Sequence, residues 1–160
     1  MTDDKDRMRR RLKPFNRVVI ALQGVGLAVG TMRVLSVPGR KTGTLRTTPV
    51  SPLTVDGITY VVGGFEDADW VRNARAAGWG VLAKGRRKQR VSLIELPVAE
   101  REPILRAFPV KVPHGVRFML NSGAVESADP EAFAAAAPRC PVFRIEPSRT
   151  VADPLPSAGQ

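Results

Sequence analysis

Cysteine, histidine and tyrosine each occur once in this sequence, as Cys140, His114 and Tyr60. One thiol allows neither an intrachain disulfide nor a cysteine metal cluster, and it fits a reducing, cytosolic setting. One imidazole, with no matching cysteine or acid pattern, speaks against a metal site and against a serine triad. Carboxylates are scarce as well: 15 Asp and Glu face 25 Lys and Arg, a net charge of +10. An excess of that size attracts polyanions, whether nucleic acid, anionic lipid or a phosphorylated ligand. A long apolar run is missing too. The apolar stretch Val18–Met32 is interrupted by Gln23, Gly24, Gly26 and Gly30, and it is shorter than the ~20 residues that span a bilayer. Preceded by Arg9, Arg10, Arg11 and Lys13, it has the outline of a signal peptide, yet no small-residue cleavage site follows. It reads as a helix that is either buried by glycine-mediated packing or set against a membrane or a greasy substrate.

What is present describes one domain. The chain has 160 residues, 43% of them apolar and 25% charged, with no internal repeat and no linker. The expected layout is a flexible basic N-terminus over residues 1–13, a domain over 14–147 that opens with a helix over 14–30, and a polar tail over 148–160. Met32–Val37 reads as a strand, and Arg46–Val55 as another whose Pro49 and Pro52 imply an edge or bulge. Asp56-Gly57 signals a two-residue hairpin into a strand over Ile58–Val62. A helix follows, with Asp67 as its expected N-cap and Gly78 as its C′ residue. Gly80–Ala83 and Arg90–Leu96 form a second hairpin, with Lys84, Arg86, Arg87 and Lys88 at its tip. Helices are expected over Glu100–Phe108, over Gly115–Asn121 and from Asp129-Pro130-Glu131 to Ala137, then a strand over Val142–Ile145.

Two constellations can carry chemistry. The first is Gly39-Arg40-Lys41-Thr42-Gly43 followed by Arg46-Thr47-Thr48-Pro49. Glycines at a turn bare backbone N–H groups, and neighbouring cations and hydroxyls can converge with them on a phosphate. The spacing is not that of a Walker loop, and an ordinary basic turn is the bland alternative. The second is Gly63-Gly64 at a strand end, with Trp70 and Asn73 one helix face beyond. Paired glycines admit a flat ring close to the backbone, tryptophan supplies a wall, and asparagine a hydrogen-bonding handle. The alternative is a core tryptophan, an asparagine that satisfies loop groups, and glycines that turn the chain. His114 is the only catalytic candidate, as a proton donor, and an inert loop residue is its alternative. Cys140 reads as an inert, partly buried thiol.

In this order and interval the two constellations resemble the deazaflavin-dependent nitroreductase family. The similarity runs through Val34–Gly43, Arg46-Thr47-Thr48-Pro49, Asp56-Gly57, Tyr60, Gly63-Gly64 and Trp70-Val71-Arg72-Asn73, with Ala76 and Gly78, and continues through Gly80–Leu96. It implies a mainly β fold with peripheral helices (α+β), an antiparallel split β-barrel of the FMN-binding type. It also implies the 8-hydroxy-5-deazaflavin coenzyme F420, with FMN or FAD as alternatives. The tail of F420 carries a phosphodiester and several glutamates. On that resemblance Arg40, Lys41, Thr42 and Arg46 hold the phosphate, and Thr47, Thr48 and Pro49 line the path to the ring. Gly63 and Gly64 lie near the ring, and Trp70 and Asn73 close the pocket. The implied activity is hydride transfer to an apolar, electron-poor substrate such as a quinone, nitro compound or activated alkene. Two features depart from the family: the acceptor-side tyrosines of its C-terminal part are missing here, and Phe65-Glu66-Asp67-Ala68 lacks a lysine found in some relatives. A non-catalytic carrier of flavin, deazaflavin or lipid on the same barrel is the alternative. The expected state is cytoplasmic with peripheral membrane contact, and homodimeric. Nucleic acid is disfavoured because the basic runs lack interleaved aromatics for base stacking.

Overall fold

The structure, a computed structural model, describes residues 32–148. The N-terminus over 1–13, the helix expected over 14–30 and all but Ser148 of the expected tail lie outside the described residues. Seven strands and four helices follow in the order β1 (Arg33–Pro38), β2 (Leu45–Val50), β3 (Leu53–Val55), β4 (Ile58–Val62), α1 (Asp69–Ala77), β5 (Trp79–Lys84), β6 (Arg87–Glu95), α2 (Val98–Lys111), α3 (Pro113–Asn121), α4 (Pro130–Ala135) and β7 (Val142–Pro147). The strands form one sheet in the order β2-β1-β5-β6-β7-β4-β3, antiparallel throughout.

This order forces curvature. β2 and β3 are the two edges, yet only Ser51 and Pro52 join them. Three Cα steps reach at most roughly 11 Å, whereas six flat strand spacings amount to roughly 29 Å. The sheet therefore curls until its edges meet at the Ser51-Pro52 corner, which makes an antiparallel split β-barrel with helices packed against it.

The expected strand Arg46–Val55 is thus two strands. Pro49 sits on the edge strand β2, opposite Val34, and Pro52, which has no N–H to donate, lies in the break. Asp56 (φ 51°) and Gly57 (φ 78°) both adopt left-handed backbone in the two-residue turn from β3 to β4, as a hairpin of that length prefers. The second hairpin extends further than its alternation suggested, with Lys84 opposite Arg87 at the tip. α1 begins at Asp69 and not after Asp67. Its N-cap is Ala68, in extended backbone and with no side-chain cap, and Asp69 in the first turn meets the positive end of the helix dipole. Gly78 closes α1 in the left-handed region, its N–H donating to the Ala74 carbonyl at 2.8 Å.

α2 is longer than expected and contains Pro103 and Pro109. α4 starts where its signals placed it, with Asp129 accepting from the Ala132 N–H. It ends at Ala135, and the remaining alanines turn the chain toward β7.

Two cores occupy the two sides of the sheet. α1 covers the one built from Leu35, Val37, Val61, Val91, Leu93, Phe143 and Ile145. The other gathers Leu53, Tyr60 and Val142 under α2, α3 and α4, with Leu105 and Phe133 wholly buried. β7 serves both because successive residues face opposite ways: Val142 belongs to one core and Phe143 to the other.

Candidate functional site

The connection between β1 and β2 is a tight turn that displays its cations. The Gly39 N–H donates to the Thr44 carbonyl and the Gly43 N–H to the Gly39 carbonyl, each at 2.8 Å. Arg40, Lys41, Thr42 and Gly43 are exposed. The turn is fastened to α1 by Asn73, whose side chain is 4% exposed. The Asn73 Oδ1 accepts from the Arg40 backbone N–H at 3.1 Å and from Arg40 Nη1 at 2.9 Å. Arg40 Nη2 also lies 3.5 Å from the Asp69 carboxylate. The two constellations are therefore one assembly. Asn73 spends its carbonyl on the turn, so the handle expected to face a ring instead positions a cation.

The turn opens on a cleft of about 380 Å³, lined by Pro38, Gly39, Arg40, Leu45, Ala77 and Trp79 among others. Trp79 was not among the expected site residues. Its signal was an aromatic at the start of a strand, directly after the helix-ending Gly78. Arg90, on the neighbouring strand, stacks its guanidinium 3.9 Å from the Trp79 ring centroid, an arrangement that holds both side chains in place.

Along β2 the expected path residues divide between two faces. Arg46 and Thr48 pair with Val37 and Leu35, whereas Thr47 and Pro49 pair with Ser36 and Val34. Only one of these rows can line a given surface. The basic tip of the second hairpin is a separate feature. Val34 pairs with Ala83 near that tip, so the tip and the Gly39 turn lie at opposite ends of β1, roughly 17 Å apart.

The two glycines at the end of β4 have different neighbours. A Cβ on Gly63 would stand 3.0 Å from Val71 Cγ2 and 3.2 Å from the Trp70 ring. Gly63 thus lets α1 approach the strand, and Trp70 is a packing residue that also meets Phe143 at 5.6 Å between ring centroids. Trp70 is partly buried there, against the core that α1 covers. A Cβ on Gly64 would meet Phe118 at 3.5 Å and Met119 Sδ at 3.7 Å, ordinary contacts. Gly64 therefore faces α3.

α3 presents His114 and Phe118 one helical turn apart on the same stripe. Phe118 is 41% exposed although it reaches Gly64. The His114 Nε2 lies 3.1 Å from Ser51 Oγ, at the corner between β2 and β3. Ser51, like Trp79, was missed by sequence reading, because only the curl of the sheet brings this corner to α3. Tyr60 is buried among the core residues beneath the helices. Cys140 is buried too, and loss of solvation pushes its thiol up to about 11, which keeps it protonated and unreactive.

A bracket of charges fixes the loop after the glycines. Arg75 donates to the Glu95 carboxylate at 2.8 and 2.9 Å and to the Glu66 carbonyl at 3.3 Å. The Glu95 hydrogen bond, foremost, raises the Arg75 guanidinium above its ordinary value. The buried Arg101 donates to the Leu96 and Ala137 carbonyls at 3.0 and 3.1 Å, and lies 3.5 Å from Glu95 and 3.8 Å from Glu66. Glu66, in the segment after the glycines, is here an ion-pair partner of Arg75 and Arg101.

Comparison with known proteins agrees with this geometry. The family described as F420H(2)-dependent quinone reductase matches residues 7–119, a span that includes the cationic turn, both glycines and the exposed stripe of α3. No curated protein matches the chain. Among solved structures, an F420-H2 dependent reductase, FDR-A, is 19% identical with a TM-score of 0.50, over 75% of this chain and 98% of that one. A protein solved as a domain-swapped dimer is 21% identical with a TM-score of 0.53, over 88% of this chain and 98% of that one. Atu2129 from Agrobacterium tumefaciens is 13% identical with a TM-score of 0.52, over 86% and 56% of the respective chains. These likenesses show a common fold, and the family match reaches further. The chain belongs to the F420H(2)-dependent quinone reductase family, oxidoreductases that work with the deazaflavin coenzyme F420.

Proposed function

We propose that this protein reduces an apolar, electron-poor acceptor, a quinone foremost, at the expense of reduced F420, and that the Gly39 turn anchors the coenzyme's phosphodiester. The observation that carries this reading is the fastening of Arg40 to Asn73 beside the cleft. A cation held by a buried amide is already ordered before the ligand arrives, which lowers the entropy lost on binding. The donor set suits the group: Arg40, Lys41 and Arg46 are exposed cations, and Thr42 adds a hydroxyl. One row of β2, either Thr48 with Arg46 or Thr47 with Pro49, is assigned with Gly64 to the route from turn to ring.

When bound, reduced F420 supplies the hydride. The chain's own work is to hold the tail by charge, keep the ring region apolar around Gly64, Phe118 and Met119, and exclude water there. Titration with oxidised F420, FMN and FAD tests the assignment, followed by turnover of reduced F420 with menadione. Preference for F420 and oxidation of the reduced coenzyme are expected. Tight binding without turnover would leave the carrier reading, which is supported by the burial of the chain's only tyrosine away from any acceptor. Nitro compounds and activated alkenes are further acceptors to assay. A homodimer and a peripheral membrane contact belong to the same reading, and sedimentation and vesicle flotation test them. Among the described residues no helix is long and apolar enough to cross a membrane.

A further inference from the structure

We infer that Ser51 and His114 form the proton-delivery pair for the reduced acceptor, an assignment that rests on the proposed reductase reading. Four observations converge on it. The two side chains are within hydrogen-bonding distance, 3.1 Å between Ser51 Oγ and His114 Nε2. They sit at the corner where the curled sheet brings β2 to β3, directly after the strand assigned to the coenzyme. His114 shares its helical stripe with Phe118, and Phe118 reaches Gly64. Both helix residues are exposed, so an acceptor can approach Phe118 while His114 exchanges protons with solvent. Two other side chains with an O–H or S–H, Tyr60 and Cys140, are both buried in the core under α2, α3 and α4.

The chemistry balances as follows. A quinone gains a hydride from the reduced coenzyme and one proton, and becomes the hydroquinone. Reduced F420 would supply that hydride, being oxidised by two electrons, and its remaining proton would go to solvent. The Ser51 Oγ–H bond breaks as the product O–H bond forms. The Nε2–H proton of protonated His114 moves to Ser51 Oγ, and the neutral imidazole regains a proton from water. Phe118, one helical turn beyond His114, offers a flat apolar surface for the acceptor ring.

The test uses the full chain and menadione, in two arms. In the absence of coenzyme, the chain's one histidine supplies one imidazole Cε1–H resonance, and menadione should shift it. Quenching of tryptophan fluorescence by menadione with no movement of that resonance would overturn the assignment. In the kinetic arm, His114→Ala and Ser51→Ala should each lower kcat by roughly 10²-fold, within the range of general acid catalysis. The affinity for oxidised F420 should stay unchanged. The double variant should be no slower than either single variant, and added imidazole should restore activity to His114→Ala. An unchanged kcat in either single variant overturns the pair. Should the wild-type protein bind F420 yet fail to oxidise its reduced form with any acceptor, the reductase reading itself falls and takes this inference with it.

Discussion

Arg40 and Asn73 show how one buried amide decides what an exposed cation can do. Arginine in a solvent-facing turn ordinarily samples many rotamers, and ordering it for a ligand costs entropy. Here Asn73 accepts two of its N–H groups before any ligand is present. Replacing Arg40 and Lys41 together by alanine should therefore weaken F420 binding by about 3 kcal/mol, two charge-assisted hydrogen bonds at the lower end of their range. The melting temperature should barely move, and calorimetric titration beside thermal unfolding separates the two effects.

The adjacent glycines make a sharper pair at the same scale. Gly63→Ala forces a Cβ to 3.0 Å from Val71 and should destabilise the apo fold by about 1–3 kcal/mol. Gly64→Ala makes only ordinary contacts, and its unfolding free energy should stay within about 0.5 kcal/mol of wild type. Urea unfolding of both variants checks this. Equal stabilities would remove the helix-packing role assigned to Gly63. The doublet was visible in the sequence, but its division of labour was not, because the neighbours that distinguish the two positions come from α1 and α3.

At the scale of elements, two devices hold the helices against the sheet. Arg101 joins α2 to the end of β6 and to the turn after α4 through two carbonyls and two carboxylates. Arg101→Met keeps an unbranched apolar stem and removes the donors. It should cost about 2–3 kcal/mol, since the buried carbonyls lose their partner while Arg75 still compensates the acids. A lower urea midpoint with an unchanged slope is expected.

α4 is set by its cap. Asp129 accepts from the Ala132 N–H and from the Ser127 hydroxyl, and these hydrogen bonds, the Ser127 one foremost, hold its carboxyl below the usual carboxylate value. A carboxyl whose folded value is depressed contributes stability above its unfolded value, and that contribution is lost as pH falls through the folded value. Asp129→Ala should thus melt lower than wild type at neutral pH, and the gap should close under acid conditions. A gap that persists at low pH would mean the charge is not what matters. The start of α4 was legible because cap, proline and acid are local signals. The start of α1 was displaced by one residue because Ala68 takes the extended cap position with no side-chain signal to announce it.

Across the whole molecule the positive charge is divided, not pooled. The Gly39 turn and the hairpin tip carrying Lys84, Arg86, Arg87 and Lys88 stand at opposite ends of β1. At physiological ionic strength a separation of roughly 17 Å is about two screening lengths. Neutralising the tip with four glutamines should therefore change the affinity for F420 stripped of its glutamates by less than about twofold, whereas the Arg40 and Lys41 double variant loses most of it. A large loss on neutralising the tip would place the anion site at the wrong end of the barrel.

Local chemistry determined much of this protein before any tertiary contact formed. The Asp56-Gly57 hairpin, the left-handed close at Gly78, the capped start of α4 and the cationic turn all follow from residues within a few positions of one another. The order of motifs also pointed to the family and to F420, with FMN and FAD as alternatives, and the family match decided for F420. The tertiary structure alone decided how those pieces meet. Two residues between β2 and β3 compel a seven-stranded sheet to curl, and that closure sets Ser51 against His114. Helix packing gave Asn73 to Arg40, Gly63 to Val71 and Gly64 to Phe118. These partners are 33, 8 and 54 positions apart, and their meeting depends on how a barrel closes and which face a helix buries, which no run of adjacent residues encodes.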